Sequence, residues 1–249
     1  MTLINSLLDW VYPPTCMACR ALLPLNAPSQ LTLHLCPRCA DIFEPIAAPV
    51  CPTCGVPTEL EVKSCAACIR RTFRFDTNRA AFIYEETVRD LLLELKFHNK
   101  KRIAQGLGKL WAAYIKSNRV LTPSLENSPI LVPLPMHPKK QRERGFNQAE
   151  ILATAVSESL NIPAAPVLVR TMDTPPQSGL HPSLRAENVK GVFAVQANIN
   201  TEGKHYILVD DIFTTGASLN ECAIALKKSG AAQVSCMTLA ISVKNKINS

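Results

Sequence analysis

Four C-x-x-C pairs constrain the start of this chain more than any other feature of its sequence. They hold eight of the ten cysteines and all lie before residue 70: Cys16/Cys19, Cys36/Cys39, Cys51/Cys54 and Cys65/Cys68. A C-x-x-C turn points two sulfur atoms at one centre, and two such turns complete a tetrahedral zinc site. The first two pairs are 16 residues apart and the last two are 10 apart, spacings that favour zinc ligands. The segment is therefore predicted to fold around two structural Zn²⁺ ions.

Four pairs can form two sites in three ways. Sequential pairing closes the shortest loops and is favoured for that reason, whereas an interleaved, cross-braced pairing stays open. Redox pairs or plain buried thiols are the alternatives to metal, but four repeats at these spacings favour metal. Four thiolates per ion leave no open coordination position, so we expect a structural rather than a catalytic role. The other two cysteines, Cys222 and Cys236, lie in apolar segments and are predicted to be core residues.

The start of the chain does not have the pattern of a secretory signal. It lacks a basic region, and Asp9, Pro13 and Pro14 interrupt its apolar residues. No apolar run approaches the roughly 20 residues of a membrane-spanning helix. We therefore expect a cytoplasmic protein without a membrane span. In that compartment paired cysteines indicate metal ligands rather than disulfides.

The net charge is weak evidence for a nucleic-acid partner, and its distribution is more informative. Eight thiolates contribute −8 and two Zn²⁺ contribute +4, so the formal net charge of +7 becomes +3. Residues 76–150 carry 13 Lys and Arg against eight Asp and Glu, which concentrates basicity in the middle of the chain. Aromatic residues make up only 6% of the sequence, so contacts with nucleic-acid phosphates would dominate over base stacking.

Beyond residue 75 the pattern changes to apolar strands that alternate with amphipathic helices. This pattern predicts an α/β fold with a mostly parallel sheet, preceded by a small cysteine-rich zinc module. We divide the chain into a module at 1–75 and an α/β domain at 76–249. Apolar spacing predicts helices over 88–95, 103–114, 146–160 and 219–226. Strands are predicted over 129–135, 167–171, 191–195, 205–211 and 232–242, with a long loop over 173–191.

The stretch ILVDDIFTTGAS, residues 207–218, joins an apolar strand to two carboxylates and a turn of small residues. In an open α/β sheet ligands bind beyond the carboxyl ends of the strands, and N–H groups at a helix N-terminus favour an anion. Asp210 and Asp211 would repel a phosphate directly, but they suit the vicinal hydroxyls of a sugar or a Mg²⁺ ion. A phosphorylated sugar satisfies both halves of the stretch. The candidate phosphate-binding residues are Thr214, Thr215, Gly216, Ala217 and Ser218.

No lysine follows Gly216, so the stretch is not a Walker A loop. A Walker-B-like strand end or an ordinary strand–turn–helix corner is the alternative. The stretch resembles the ribose-5-phosphate motif of type I phosphoribosyltransferases. The resemblance implies that the ligand is phosphoribosyl pyrophosphate, usually with Mg²⁺.

A basic run, PKKQRERGFNQAE, follows another strand at residues 138–150. The short proline-bearing turn before it resembles the place where phosphoribosyltransferases bind pyrophosphate, although a solvated basic face is the alternative. Asn147 is predicted to cap the next helix, with Glu150 at capping-box spacing. The candidate pyrophosphate or DNA contacts are Lys96, Arg102, Lys139, Lys140, Arg142, Arg144, Asn147 and Gln148.

The whole arrangement resembles the ComF (GntX-like) family of competence-associated proteins. The motifs that carry this resemblance are the cysteine pairs, LKFHNKKRIA, RERGFNQAE, TPPQSGLHPSLRAENVKGVF and VDDIFTTGAS. In family terms, residues 174–193 correspond to a mobile hood loop with Gln177, Arg185 and Asn188 at the matching polar positions. The resemblance implies a role with incoming single-stranded DNA during natural transformation, and competence or DNA-processing proteins as partners.

Two hypotheses of different class follow, because no catalytic residue or nucleophile pocket is recognisable in the sequence. In the first, the protein is a transferase that moves a phosphoribosyl group to an acceptor. In the second, it is a non-catalytic sensor of a phosphoribosyl ligand that also binds single-stranded DNA. The hypothesised DNA surface comprises Lys96, Lys100, Lys101, Arg102 and residues 139–144.

Overall fold

The computed structural model describes residues 15–16, 18–23, 35–41, 43, 45–97, 101–118, 127–174 and 184–243. The helices are α1 (Pro37–Ala40), α2 (Ala66–Ile69), α3 (Glu86–Phe97), α4 (Lys101–Ser117), α5 (Pro138–Arg144), α6 (Gln148–Leu160), α7 (Leu184–Asn188) and α8 (Ala217–Lys228). The strands are β1 (Thr77–Ile83), β2 (Ile130–Pro133), β3 (Leu168–Arg170), β4 (Phe193–Val195), β5 (His205–Phe213) and β6 (Gln233–Ile241).

A four-stranded parallel sheet with the order β1-β6-β5-β2 forms the centre of the protein. The central strands β5 and β6 are apolar along most of their length and are buried on both faces. Strands β3 and β4 pair separately as a small antiparallel sheet. The predicted α/β fold with a mostly parallel sheet is confirmed.

Helices cover both faces of the main sheet. On one face, α4 and α6 bury Trp111 and Leu152 against Ile207 of β5. On the other face, α8 buries Leu219 and Cys222 against β5 and β6. Cys222 and Cys236 are both fully buried, as the apolar segments around them predicted.

The predicted helices and strands are present, and the structure adds elements that the sequence patterns did not predict, among them α1, α2 and α5. Strand β1 was not predicted, because its sequence TNRAAFI mixes polar and small residues and lacks a clear alternation. The predicted loop over 173–191 contains the helix α7, whose five residues are too few to show a helical stripe. The described part of the chain contains no helix with the length and apolar character needed to cross a bilayer.

The cysteine-rich segment runs along the outer edge of the sheet. Ile46 N–H donates to Ala81 O of β1 at 2.7 Å, and Asn78 N–H of β1 donates to Thr53 O at 2.7 Å. These bonds cover backbone groups that an edge strand would otherwise expose. The cysteine-rich segment is therefore hydrogen-bonded to the edge strand of the sheet. The domain boundary at residue 75 stays a prediction.

The two cysteine clusters pack on opposite faces of the sheet. Cys16 and Cys39 lie in the apolar cluster with Phe82 and Trp111, on the α4 side. The second cysteine cluster comprises Cys51, Cys54, Cys65 and Cys68, and it packs in the apolar cluster on the α8 side. Metal binding in either cluster would therefore stabilise contacts with the α/β domain as well as the cysteine-rich segment itself.

We expect Gly55→Ala to lower the free energy of unfolding by about 2–4 kcal/mol. Alanine is strained in the left-handed backbone conformation, and its Cβ atom would also be too close to a neighbouring backbone atom. Gly55 has φ +74°, and a Cβ atom there would lie 2.5 Å from the carbonyl oxygen of Asn78. Gly203→Ala is the matched control, since Gly203 has φ +68° but nothing within 4 Å of the added Cβ. Urea unfolding should show a loss of only about 1 kcal/mol for the control. Equal losses would contradict the steric argument.

Candidate functional site

Eight cysteines form two clusters that are suited to zinc. The Sγ atoms of Cys16, Cys19, Cys36 and Cys39 lie within 4.8 Å of one another, as do those of Cys51, Cys54, Cys65 and Cys68. The Cys54–Cys65 and Cys51–Cys68 Sγ distances are 3.6 and 3.8 Å. Sulfurs at the corners of a tetrahedron with Zn–S bonds of about 2.3 Å would lie about 3.8 Å apart, so the clusters fit the ion. The sequential pairing of the C-x-x-C motifs is confirmed.

The backbone around the second cluster shows how the sequence builds a zinc knuckle. Gly55 N–H donates to Cys51 O at 2.9 Å, and Cys51 N–H donates to Val56 O at 2.8 Å. These two bonds close the turn that holds Cys51 and Cys54 on the same side. Cys65 then precedes α2, which places Cys68 on its single turn.

The cysteines of each cluster differ in their tendency to ionise. Burial raises the pKa of Cys16 and Cys51, but backbone N–H groups near each sulfur outweigh it and lower both pKa values to about 7. Burial raises the pKa of Cys68 to about 12 and moves the pKa of Cys39 and Cys54 upward as well. Each cluster thus holds one sulfur that ionises readily and at least one with a raised pKa, whose proton a bound cation would have to displace.

The two adjacent carboxylates lie beyond the end of β2. Strand β2 ends with Pro133 opposite Val209, whereas β5 continues along β6 as far as Phe213. Asp210 and Asp211 therefore border the crevice at the carboxyl edge of the sheet, where open α/β sheets bind ligands. They lie within β5 rather than after it, two residues short of the strand end.

Asp210 and Asp211 face different sides of the sheet, because successive residues of a strand alternate. Asp211 is 5% exposed and lies on the α6 side, where Gln148 Nε2 donates to its Oδ2 at 3.4 Å. Arg144 Nη1 in turn donates to Gln148 Oε1 at 2.8 Å. Asp210 lies on the α8 side and is half-buried, and its Oδ1 accepts from Asp211 N–H at 2.8 Å. The two acids therefore have separate surroundings.

The turn after β5 is shaped by one glycine. Gly216 is the N-cap of α8 with φ +72°, and a Cβ atom there would lie 2.7 Å from Phe213 Cζ. Thr215 Oγ1 accepts from Ala217 N–H at 3.4 Å. Residues 214–218 thus lie at the N-terminus of a 12-residue helix, where backbone N–H groups and the helix dipole favour an anion.

The basic segment folds into the helix α5, which Gly145 ends in the left-handed conformation at φ +79°. Asn147 then caps α6 as predicted, since its Oδ1 accepts from Ala149 N–H at 3.0 Å. Its Nδ2 donates to Leu134 O at 3.0 Å, which ties the start of α6 to the end of β2. Glu150 Oε1 accepts from the Asn147 side chain at 3.4 Å rather than from its backbone N–H. The basic helix is therefore held beside the carboxyl edge of the sheet.

Several cations of this segment contact protein groups. Lys140 Nζ donates to Thr174 O at 2.6 Å and lies 3.7 Å from Asp173 Oδ1, while Lys139 Nζ lies 3.7 Å from Asp173 Oδ2. Burial and the nearby Arg170 lower the pKa of Lys140, which Asp173 opposes. Burial also lowers the pKa of Arg144. These contacts connect α5 to the segment that leaves β3.

The hood residues are described only in part. Asn188 Nδ2 lies 3.4 Å from Thr174 Oγ1, which also accepts from Arg170 Nη2 at 2.5 Å. Asn188 is thus placed near the basic helix. Gln177 and Lys100 lie outside the described residues, as do the side chains of Lys96, Arg102 and Arg185.

Sequence reasoning missed one contact with the turn at residues 214–218. Arg71, three residues after the last paired cysteine, directs its Nη1 to Thr215 O at 3.5 Å. Arg74 N–H donates to Asn220 Oδ1 of α8 at 2.7 Å. The signal that could have found this contact is the run IRRTFRF, which holds three arginines directly after the zinc-binding pairs.

Two parts of the chain match known domain families. Residues 7–69, which include all eight paired cysteines, match the double zinc ribbon domain. Residues 147–247, which include both acids and the glycine turn, match the phosphoribosyl transferase domain. Together with the cysteine clusters and the parallel sheet, these matches show a zinc ribbon joined to a phosphoribosyltransferase-like fold.

Curated relatives match most of the chain. It is 30% identical over 212 residues to competence protein ComFC of Bacillus subtilis, covering 82% of this chain and 83% of that protein. It is 29% identical over 208 residues to competence protein F of Haemophilus influenzae, with coverages of 83% and 90%. It is 28% identical over 232 residues to DNA utilization protein YhgH of Escherichia coli O6:H1, with coverages of 91% and 98%.

Proposed function

The chain belongs to the ComF family of competence-associated proteins, and we propose that it serves DNA utilisation by binding phosphoribosyl pyrophosphate with Mg²⁺. The ligand would lie at the carboxyl edge of the sheet, between β5 and the N-terminus of α8. The relatives' names support the biological role, and the phosphoribosyl transferase match supports the class of ligand.

The observation that carries the proposal is the placement of two carboxylates directly before a glycine turn and a helix N-terminus. Asp210 and Asp211 supply acceptors for sugar hydroxyls, and residues 214–218 supply donors for a phosphate. Gly216 adopts φ +72° and leaves room for the rings of Phe213 and Phe73, which lets the turn enter α8. The backbone N–H groups at the start of α8 would then bind the phosphate oxygens. A sugar with a terminal phosphate has both chemistries in one molecule.

The residues at this edge also suit a magnesium ion. Mg²⁺ prefers oxygen ligands and usually binds through one or two carboxylates together with substrate phosphates. Asp210, at the mouth of the crevice, would hold the ion, which would neutralise charge on the pyrophosphate. Lys139, Lys140 and Arg144 lie on the neighbouring elements and would contribute further positive charge.

We extend the proposal to transfer of the phosphoribosyl group. In such a step the C–O bond between ribose C1 and pyrophosphate breaks, and pyrophosphate leaves with the electron pair. A bond from C1 to a nucleophilic N–H or O–H acceptor forms, and the proton of the acceptor passes to solvent. The cations of α5 would stabilise the negative charge of the departing pyrophosphate. Release of pyrophosphate with candidate bases or nucleotides, measured by a coupled assay, supports transfer. Binding without release favours a sensor.

Calorimetric titration tests the binding proposal directly. Wild-type protein should bind phosphoribosyl pyrophosphate with Mg²⁺ saturably, and it should bind ribose 5-phosphate about 100-fold or more tightly than ribose. The difference is expected because charge-assisted hydrogen bonds to a phosphate contribute about 1.5–3 kcal/mol each. Pyrophosphate alone is the control for non-specific attraction to the basic helix. Equal affinity for pyrophosphate and the complete ligand would overturn the proposal.

Binding of single-stranded DNA stays a prediction that the exposed cations favour. Lys101, Lys139 and Arg142 of the hypothesised surface are exposed, and α4 has no acidic residue in its first turn. Binding that depends on phosphate contacts should weaken steeply between 50 and 200 mM salt. Fluorescence anisotropy of a labelled oligonucleotide measures this dependence, and a flat response would contradict the predicted surface.

A further inference from the structure

The loop of residues 214–218, which we propose binds phosphate, contains no lysine or arginine. Residues 213–218 read FTTGAS, so the loop itself offers only backbone N–H groups and hydroxyls to an anion. A phosphate with two negative charges gains from a fixed positive charge nearby, even when solvent weakens the attraction. An arginine on another segment that contacts this loop is therefore informative.

That arginine comes from the segment that connects the zinc ribbon to β1. Arg71 Nη1 lies 3.5 Å from the carbonyl oxygen of Thr215, although 144 residues separate the two in sequence. The N–H group of the same peptide unit belongs to Gly216, which caps α8. A guanidinium at the carbonyl end of a peptide polarises it and makes its N–H a stronger donor.

Other contacts hold the connecting segment, residues 70–75, against the loop. Phe73 stacks on Phe75 with ring centroids 4.6 Å apart and meets Phe213 edge-on at 6.1 Å. A Cβ atom on Gly216 would lie 3.0 Å from Phe73 Cε1, which shows how closely the segment and the loop approach. The backbone of Arg74 is also bonded to Asn220 of α8 at 2.7 Å. Arg71 is therefore anchored on a segment with a defined position.

We propose that Arg71 is a positioning residue that strengthens phosphate binding by the loop 214–218, and that the segment connecting the zinc ribbon to β1 thereby contributes to the sugar-phosphate site. The inference rests on the proposed function, because it assumes that this loop binds the 5-phosphate. Arg71 acts through the Thr215–Gly216 peptide and adds a positive charge behind it. The second zinc cluster is linked to this effect, since Arg71 follows Cys68 by three residues.

Arg71→Gln should weaken binding of ribose 5-phosphate about fivefold, as expected for one partly solvent-screened charge. Arg70→Gln is the matched control: it removes the same charge from the adjacent residue, whose Nε donates to Ala66 O at 3.4 Å within α2. The control should change the affinity less than twofold. Arg71→Lys should recover part of the loss, because it restores the charge without the planar fork.

The pH dependence separates an electrostatic role from a merely structural one. The second pKa of a phosphate monoester is about 6, so the ligand is mostly a dianion at pH 7.5 and mostly a monoanion at pH 5.5. The loss caused by Arg71→Gln should therefore be larger at pH 7.5. An equal loss at both pH values would assign Arg71 a structural role and overturn the inference.

The outcomes of the titration distinguish the two proposals. If wild-type protein binds ribose 5-phosphate and Arg71→Gln behaves like Arg70→Gln, only the role of Arg71 is rejected. If wild-type protein does not bind ribose 5-phosphate at all, the phosphate site itself is rejected and the role of Arg71 with it. Thermal unfolding of both variants confirms that each is folded before titration.

Discussion

Cys54→Ser should reduce the zinc content from two ions per chain to one and lower the free energy of unfolding by at least about 3 kcal/mol. Two effects add. The second cluster loses a thiolate ligand, and binding of structural zinc is folding free energy for the segment it holds. In addition, the carbonyl oxygen of Cys54 accepts from the fully buried Asn78 side chain at 2.9 Å. A shift of this turn would leave that amide without a partner, which costs about 1–3 kcal/mol.

The matched control is Cys222→Ser, which changes a fully buried cysteine outside both clusters. It should lower stability by burying a hydroxyl among apolar neighbours, yet it should keep both zinc ions. Elemental analysis and urea unfolding measure the two effects separately. Two zinc ions retained in Cys54→Ser would show that the second cluster is not the zinc site described above.

Asp210→Asn and Asp211→Asn should each weaken binding of phosphoribosyl pyrophosphate about 10- to 100-fold. Hydrogen bonds to a charged group contribute about 1.5–3 kcal/mol, and the amide keeps the shape of the side chain while removing its charge. The two variants should differ in their effect on stability, because the two carboxylates differ in burial and in neighbours. Asp211 is 5% exposed and lies beside Gln148, whereas Asp210 is half-buried on the other side of β5. Titration calorimetry with Mg²⁺ gives the affinities.

Asp76→Asn is the control for this pair. Asp76 pairs with Lys227 at 3.0 Å and accepts from Val234 N–H at 2.8 Å, near the amino ends of β1 and β6. It should lower stability slightly and leave the ligand affinity unchanged. If Asp210→Ala combined with Asp211→Ala retained wild-type affinity, the assignment of these acids to the ribose hydroxyls would be rejected.

Local patterns predicted most elements of the fold. The stripes around Trp111 and Leu219 predicted α4 and α8, because apolar residues at a spacing of 3.6 mark a buried helix face over a few turns. The short polar strand β1 lacked such a pattern and was missed. It is a strand because β6 pairs with it on one side and the cysteine-rich segment covers the other.

The sequence predicted only those parts of the candidate site whose residues lie close together in the chain. The order of acids, threonines and glycine in residues 210–218 indicates a diol beside a phosphate, since each part lies within a few residues of the next. The link from Arg144 through Gln148 to Asp211 was not predictable, because Gln148 and Asp211 are 63 residues apart in the chain.

Short stretches of sequence were sufficient to predict the eight cysteine ligands of the two clusters and the helices α3, α4, α6 and α8. These features depend on residues close together in the chain, whose geometry is set by a turn or a helix. The position of the two cysteine clusters on opposite faces of the sheet and the contact of Arg71 with Thr215 are seen only in the folded chain. Such contacts join residues that are far apart in the chain and are brought together by the connections between parallel strands. A pattern within a short stretch of sequence does not show which distant residues will meet.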